Sequence, residues 1–428
     1  MGKVNIKPTM LLGTASSATQ IDGGDFGHTW NLWYTAGRIK DGANPAVAAR
    51  HWDNWREDTM LMARMGIETC LMSIEWARIE PSEGSFDEYA IDHIKEELIL
   101  LNGLGIHPVI TLHHFTNPIW FEVGGGWENP KNIVYYLRYV ERIVTRLGHL
   151  CDEYITINEP NVYSLKGYYE GSWPPGKQNL KTAMRVMSVM AAAHIRAYRL
   201  IHRLRDAMGL RGTRVGTALH MRVFTPKNRA NPAQSASAAL AERLFQTLMA
   251  EAVTLGKFSP PLKNISRAKP GRYCDFHGLS YYSRSTVTGL KDGTRHHGAK
   301  NDLGWEIYPQ GMVMCAKKLM KLCVLPIYIT GNGTCDNKDV FRCRFIYDHL
   351  VAISRSDLPF ERYYHWCFTD SFDWLHGFSA RFGIVETNFE TGERSVKKSG
   401  KFYSGIIRER AITQELYNDY VALESYHH

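Results

Sequence analysis

The sequence predicts an α/β fold, a single-domain (β/α)8 barrel spanning residues 1–428, and three observations predict it. Eight short β-rich runs recur along the chain, most are followed by a helix-like stretch, and no low-complexity linker or short repeat divides them. Strands that alternate with helices build a parallel sheet, and eight is the number at which such a sheet closes on itself. A chain of 428 residues would ordinarily divide into two or three domains, but barrels with long loops reach that length as one unit.

In chain order the predicted strands are Met10–Thr14, Thr69–Ile74, Pro108–His113, Tyr154–Asn158, Arg214–Met221, Phe276–Tyr281, Pro326–Thr330 and Tyr363–Phe368. Each is a short apolar run rich in β-branched or aromatic residues. Between them, Asp87–Leu104, Leu180–Met208 and Gln310–Leu322 carry helical patterns.

Composition narrows the function classes. The net charge is +8 and the basic residues are scattered, as at Arg203, Arg205, Arg211 and Arg214 or at Lys317, Lys318 and Lys321, so they read as solvated helix faces and no nucleic-acid partner is expected. The eight Cys show neither a CxxC pair nor zinc spacing, so no metal is expected and the thiols read as reduced in a cytoplasmic protein. No apolar run is long enough for a signal peptide or a membrane span. His427 and His428 read as a possible purification-tag remnant and are left out of the functional reading. With 12% aromatic residues, the chain has many flat apolar faces, which suit sugar rings and also simply fill cores.

A barrel of this type places chemistry at the C-terminal ends of its strands. There the sequence offers Ser17 and Gln20 after the first strand, His113 and His114 after the third, and Asn158 and Glu159 after the fourth. Tyr281 and Tyr282 follow the sixth, Gly331, Asn332 and Gly333 the seventh, and Trp366 lies on the eighth. Polar and aromatic groups converge on one mouth, as a carbohydrate site needs. The glycine-rich dinucleotide fingerprint is missing after every strand, so no cofactor is expected.

These residues resemble glycoside hydrolase family 1, the β-glucosidase and β-galactosidase family, essentially from end to end. TASSATQIDGG resembles the family's first-strand segment with its sugar-binding Gln, here Gln20. MSIEWARIEPSEGSFD and TLHHFTNPIW resemble the second- and third-strand signatures, with His114 in a sugar-contacting place. TINEP resembles the segment with the general acid/base, here Glu159, and its neighbour Asn158. WCFTDSFDWLHGFSARFGIV resembles the eighth-strand loop that grips the sugar, with Trp366, Asp373 and Trp374. Tyr282 falls where the family has a site tyrosine. The resemblance implies a retaining mechanism, which uses two carboxylates about 5 Å apart, one as acid and base and one as nucleophile.

YITGNG resembles the nucleophile strand, whose family form is Thr-Glu-Asn-Gly, but Gly331 stands where the nucleophilic Glu is expected. The second strand departs too: the family's Tyr-Arg-Phe-Ser-Ile reads Cys70, Leu71, Met72, Ser73, Ile74, so the Arg that touches the nucleophile has become Leu71. The two losses fit together, since an Arg stripped of its buried carboxylate would be an uncompensated charge costing several kcal/mol. Ser280 for Asn, Asp373 for Glu, Ser371 for Asn, and His277 in an apolar place complete an altered pocket around Cys70 and Leu71. A void is expected over Gly331. Changes grouped around one pocket read as an engineered variant.

The plain alternatives stay open: Glu159 as a surface carboxylate, His114 and the Trp residues as core, Cys70 as an inert thiol. Asp336 and Glu386 are the remaining acidic residues that could replace a nucleophile, with nothing in their spacing to favour them. The expected function is a β-glycosidase scaffold whose hydrolysis is impaired. The alternatives are a pocket cleared for a non-sugar substrate and a binding protein without turnover. The expected partner is a small-molecule glycoside or an apolar ligand, and nothing in the sequence fixes an oligomeric state.

Overall fold

The computed structural model describes residues 3–288, 291–295 and 297–427. Eight strands close into a parallel barrel: β1 (Leu11–Ala15), β2 (Thr69–Ser73), β3 (His107–Thr111), β4 (Glu153–Asn158), β5 (Arg214–His220), β6 (His277–Ser280), β7 (Ile327–Asn332) and β8 (Phe360–Trp366). All eight predicted runs form strands, within a few residues of their expected ends. Sequential strands are neighbours throughout, and β8 closes on β1 with His365 beside Thr14 and Trp366 beside Ala15.

The strand period of two separates two cores. Leu71, Val109, Ile155, Ala218, Phe276, Tyr328 and Tyr364 point inward and fill the barrel, joined near its mouth by Trp366. Their neighbours Cys70, Met72, Ile110, Tyr154, Ile157 and Tyr363 point outward into the layer under the helices. The predicted helices form as Glu88–Gly103, Leu180–Ala207 and Gln310–Leu322. The first two open on side-chain caps: Asp87 accepts from the Ala90 N–H and Asn179 from the Thr182 N–H, both at 3.0 Å.

The lower end is locked by charge. Glu153 at the start of β4 is paired with Arg362 at 3.0 Å and accepts from the Tyr328 hydroxyl at 2.9 Å. The upper end is irregular. β7 is offset in register against both neighbours between Ile329 and its last residues, and β4 is offset against β5 between Ile155 and Asn158. Such bulges re-aim side chains next to functional sites, and here they sit just before Gly331 and Glu159. The eight Cys are free thiols, seven of them buried. No helix among the described residues is long and apolar enough to cross a membrane. His427 packs against Phe341, its carbonyl accepting from the Lys300 N–H at 2.9 Å; His428 lies outside the described residues.

Candidate active site

A pocket of about 240 Å³ opens at the C-terminal end of the barrel. His114, Asn158, Glu159, Ser280, Tyr282, Trp366, Asp373 and Trp374 line it together. Three of the eight described non-glycine residues with positive φ lie on its wall: Phe115 (68°), Glu159 (43°) and Trp374 (46°). Side chains tolerate this conformation poorly, and it concentrates where the surroundings fix a functional geometry.

Glu159 immediately follows β4 and caps the helix Pro160–Leu165. Its Oε2 lies 3.3 Å from His220 Nδ1. Burial pushes its carboxyl up, but the neighbouring His220 and Ser280 side chains more than offset this, so its pKa is held below the usual value. His114, on the segment after β3, accepts through Nε2 from the Asn158 amide at 3.1 Å. Its proton is therefore on Nδ1, which is buried with no hydrogen-bond partner among the described residues. Burial holds this ring neutral, down to about 3.

Gln20 lies behind the lining, one layer deeper. Its amide donates to the Phe372 carbonyl at 2.6 Å, directly before Asp373, while its Oε1 is buried without a partner. Asp373 lines the pocket and burial pushes its pKa up to about 7. The Trp374 ring lies nearly parallel to His114, at 27° and 6.2 Å, and Trp366 is tilted 32° from it at 5.8 Å.

Position 331 is not open. A Cβ placed on Gly331 would meet the Tyr282 hydroxyl at 2.5 Å and Ser280 Oγ at 3.6 Å. The expected void is thus filled by a phenol. Gly331 has no positive φ, so the backbone does not demand a glycine there; the Tyr282 side chain is what an added Cβ would meet first. Gly333 is different, because a side chain there would run into the Trp366 carbonyl. Leu71 is buried in the apolar barrel interior, against whose cluster Tyr282 also packs.

Two expected pocket residues are elsewhere. Cys70 points away from the barrel axis into a separate buried cavity beside His51, Glu97 and Met62, and burial pushes its thiol up, far from reactivity. Adjacent residues of one strand face opposite ways, so Leu71 pointing in sends Cys70 out. His277 opens β6 at the bottom of the barrel, where its Nε2 meets the Cys323 carbonyl at 2.8 Å. Asp336 is occupied with the backbone N–H groups of Val340, Phe341 and Arg342, and Glu386 is exposed on a surface strand, so neither reaches the pocket.

His220, Arg222, Phe115, Trp173 and Trp305 line the pocket without having been singled out. For His220 the signal was available: it is the last residue of β5, and six of the other seven strands offered candidate residues at that end.

Residues 4–412 match the description glycosyl hydrolase family 1. Among curated relatives, β-glucosidase A of Acetivibrio thermocellus is 29% identical over 95% of this chain and 99% of its own length. Among solved structures, a β-glycosidase from Pyrococcus horikoshii superposes with a TM-score of 0.89 at 31% identity, covering 98% of both chains. A β-glucosidase from Thermotoga maritima in complex with glucoimidazole shares the fold, with a TM-score of 0.89 over 95% of this chain and 99% of its own, at 24% identity.

Proposed function

The chain belongs to glycosyl hydrolase family 1, and on that footing we propose that it is a β-glucosidase-like scaffold that has kept its sugar site and acid/base group but lost its nucleophile. His114, Asn158, Asp373, Trp366 and Trp374 form the sugar site, with Gln20 behind its wall against Phe372, and Glu159 is the acid/base group. The observation that carries this reading is at Gly331: the place of the attacking carboxylate is held by glycine, with the Tyr282 phenol over it. A retaining glycosidase needs that carboxylate to form its covalent intermediate. Losing such a group costs on the order of 10⁴-fold or more in turnover. The acid step suffers too, because in the retaining pair the negative nucleophile raises the acid's pKa, whereas here Glu159 is held low.

The test is turnover of an aryl β-glucoside by the purified protein. The expected rate lies orders of magnitude below the roughly 10 per second of an ordinary enzyme. A rate near that value would mean that another group attacks the sugar, and the reading would fall.

A second reading, a pocket adapted to a flat apolar ligand, is favoured by one observation: Tyr282 on the pocket wall packs against the barrel's apolar cluster, to which Leu71 belongs. Thermal shift with glucose against a flat aromatic compound separates the two, since stabilisation follows affinity for the folded state.

A further inference from the structure

We propose that the outer face of the helix Leu180–Ala207, together with the loop that leads into β6, is a docking surface for the phosphodiester backbone of a double-stranded nucleic acid. This face lies on the side wall of the barrel, so the proposal stands apart from the reading of the pocket at Gly331.

Basic residues that look scattered along the sequence are gathered by the fold. The stretch 180–205 holds Lys181, Arg185, Arg196, Arg199, Arg203 and Arg205 and no acidic residue. The stretch 256–274 holds Lys257, Lys263, Arg267, Lys269 and Arg272, again with no acidic residue. Together these cations exceed the chain's whole excess of +8, so the remainder of the chain is slightly acidic. Arg205 is buried. At about 100° per residue, Arg185, Arg196, Arg199 and Arg203 fall within about 60° of one another around the helix axis. The loop lies along the same helix: the Lys263 N–H donates to Ser188 Oγ at 3.0 Å, and Ala268 and Tyr273 pack on Ile195. Arg199 ties the two together, its Nη2 donating to the Tyr273 hydroxyl at 2.9 Å. The helix row and the loop cations therefore form one surface.

Among the described residues little neutralises this surface. Neither the four helix arginines nor the loop cations other than Arg272 form an ion pair there, and Arg272 reaches Asp275 only at 4.0 Å. Asp206, the first acid after the row, lies beyond its end. The helix packed beside it, Ile133–Leu147, is built the other way: its Arg138, Arg142 and Arg146 are paired with Glu80, Glu88 and Asp92. Arg185, Arg199 and Arg203 are exposed, and so are the five loop cations. Arg199 stands three positions from Arg196 and four from Arg203, the spacings at which like charges repel on a helix. A polyanion laid on the face relieves that repulsion.

Three features choose the partner. The row from Arg185 to Arg203 is about 27 Å long at about 1.5 Å per residue, which matches about eight base pairs of a duplex. Its charges are guanidinium groups, whose planar fork grips a phosphate through two bonds at once. The aromatic rings there, Tyr198, Phe258 and Tyr273, are half-buried or buried, so unpaired bases have nothing to stack on. Leu180, at the helix start, is the one exposed large apolar side chain of the two stretches among the described residues. A bilayer would thus meet charge without the apolar anchor that stable attachment needs. What remains is contact with backbone phosphates, independent of base sequence.

The full-length protein is titrated against a fluorescent random-sequence DNA duplex of about 20 base pairs and against the matching single strand, followed by anisotropy between about 50 and 200 mM salt. Cosedimentation with vesicles of phosphatidylserine and phosphatidylcholine runs beside it. One variant combines Arg185→Gln, Arg203→Gln, Lys263→Gln and Arg267→Gln. A control of equal charge change combines Arg64→Gln, Lys131→Gln, Lys321→Gln and Lys401→Gln, exposed cations of other elements. Thermal unfolding checks that both fold, and Arg203→Gln with Lys263→Gln replaces the fourfold variant if it does not. The expected duplex Kd is on the order of 10⁻⁶ M at the lowest salt. The fourfold variant should bind at least about tenfold more weakly, with a slope of log K against log salt shallower by about 3 to 4, and the twofold one by about 2. The control should keep the parent's slope. No binding at about 50 mM salt, or equal loss in variant and control, overturns the proposal. So does tighter binding to the single strand, or vesicle binding through this face without duplex binding, each of which names a different partner.

Discussion

Adding one methyl group at position 331 reads out what occupies the pocket floor. In Gly331→Ala the new carbon would stand 2.5 Å from the Tyr282 hydroxyl, roughly 1 Å inside the 3.5 Å at which such atoms begin to rest comfortably. The backbone is not the obstacle, since Gly331 lacks a positive φ. The tyrosine must move, and its ring is stacked on His220 at 5.6 Å, so the move disturbs a second packed side chain. Overpacking of this kind costs about 1–3 kcal/mol. If the hydroxyl is removed first, the nearest atom to the methyl is the ring carbon at 3.4 Å, an ordinary contact. Gly331→Ala should therefore destabilise the parent by about 1–3 kcal/mol and be close to neutral in Tyr282→Phe. Urea unfolding of the four proteins in the double-mutant cycle gives the coupling, expected to be nearly as large as the Ala cost itself. Additivity within about 0.5 kcal/mol would mean that the phenol does not cover residue 331, and the claim that the floor is closed would fail.

Leu71→Arg places a charge in the apolar barrel interior with no carboxylate at 331 to meet it; it should cost about 3–5 kcal/mol, and adding Gly331→Glu should recover part of that in the same unfolding assay. No recovery would show that the two positions do not meet. Asp373 gives a pH signature. Its folded pKa is raised by burial to about 7, so the native state holds this proton more tightly than the unfolded chain does; the contribution is present below the ordinary carboxylate range and is lost as pH rises toward 7. Asp373→Asn should flatten the decline in stability between about pH 4 and 7, and an unchanged slope would place that decline elsewhere, with Asp22, raised by burial to about 7 as well, the control.

The barrel was legible because its cause is local and repeated: short apolar runs with period two, each handed to a helix, leave little choice of architecture. The mouth was legible for the same reason, since the fold fixes which strand ends converge, and His114, Asn158, Glu159, Asp373 and Trp374 do meet there. The misplaced residues broke a rule the sequence already contained. Cys70 and Leu71 are consecutive on one strand and cannot both face inward; His277 begins its strand and so lies at the opposite end from the mouth. His220 was passed over although it ends β5, because a search by resemblance stops at positions that resemble something.

What no strand rule could give is how the pocket closes over Gly331. Dense interiors leave little space unfilled beside a residue with no side chain. Here the neighbour is Tyr282: its hydroxyl lies 2.5 Å from where a Cβ on Gly331 would stand, and its side chain packs against the apolar cluster that includes Leu71. A glutamate placed at 331 would meet the Tyr282 phenol beside an apolar cluster, a setting that raises its pKa and leaves it a weak nucleophile. A variant that alters residue 331 alone therefore also measures the resistance of Tyr282.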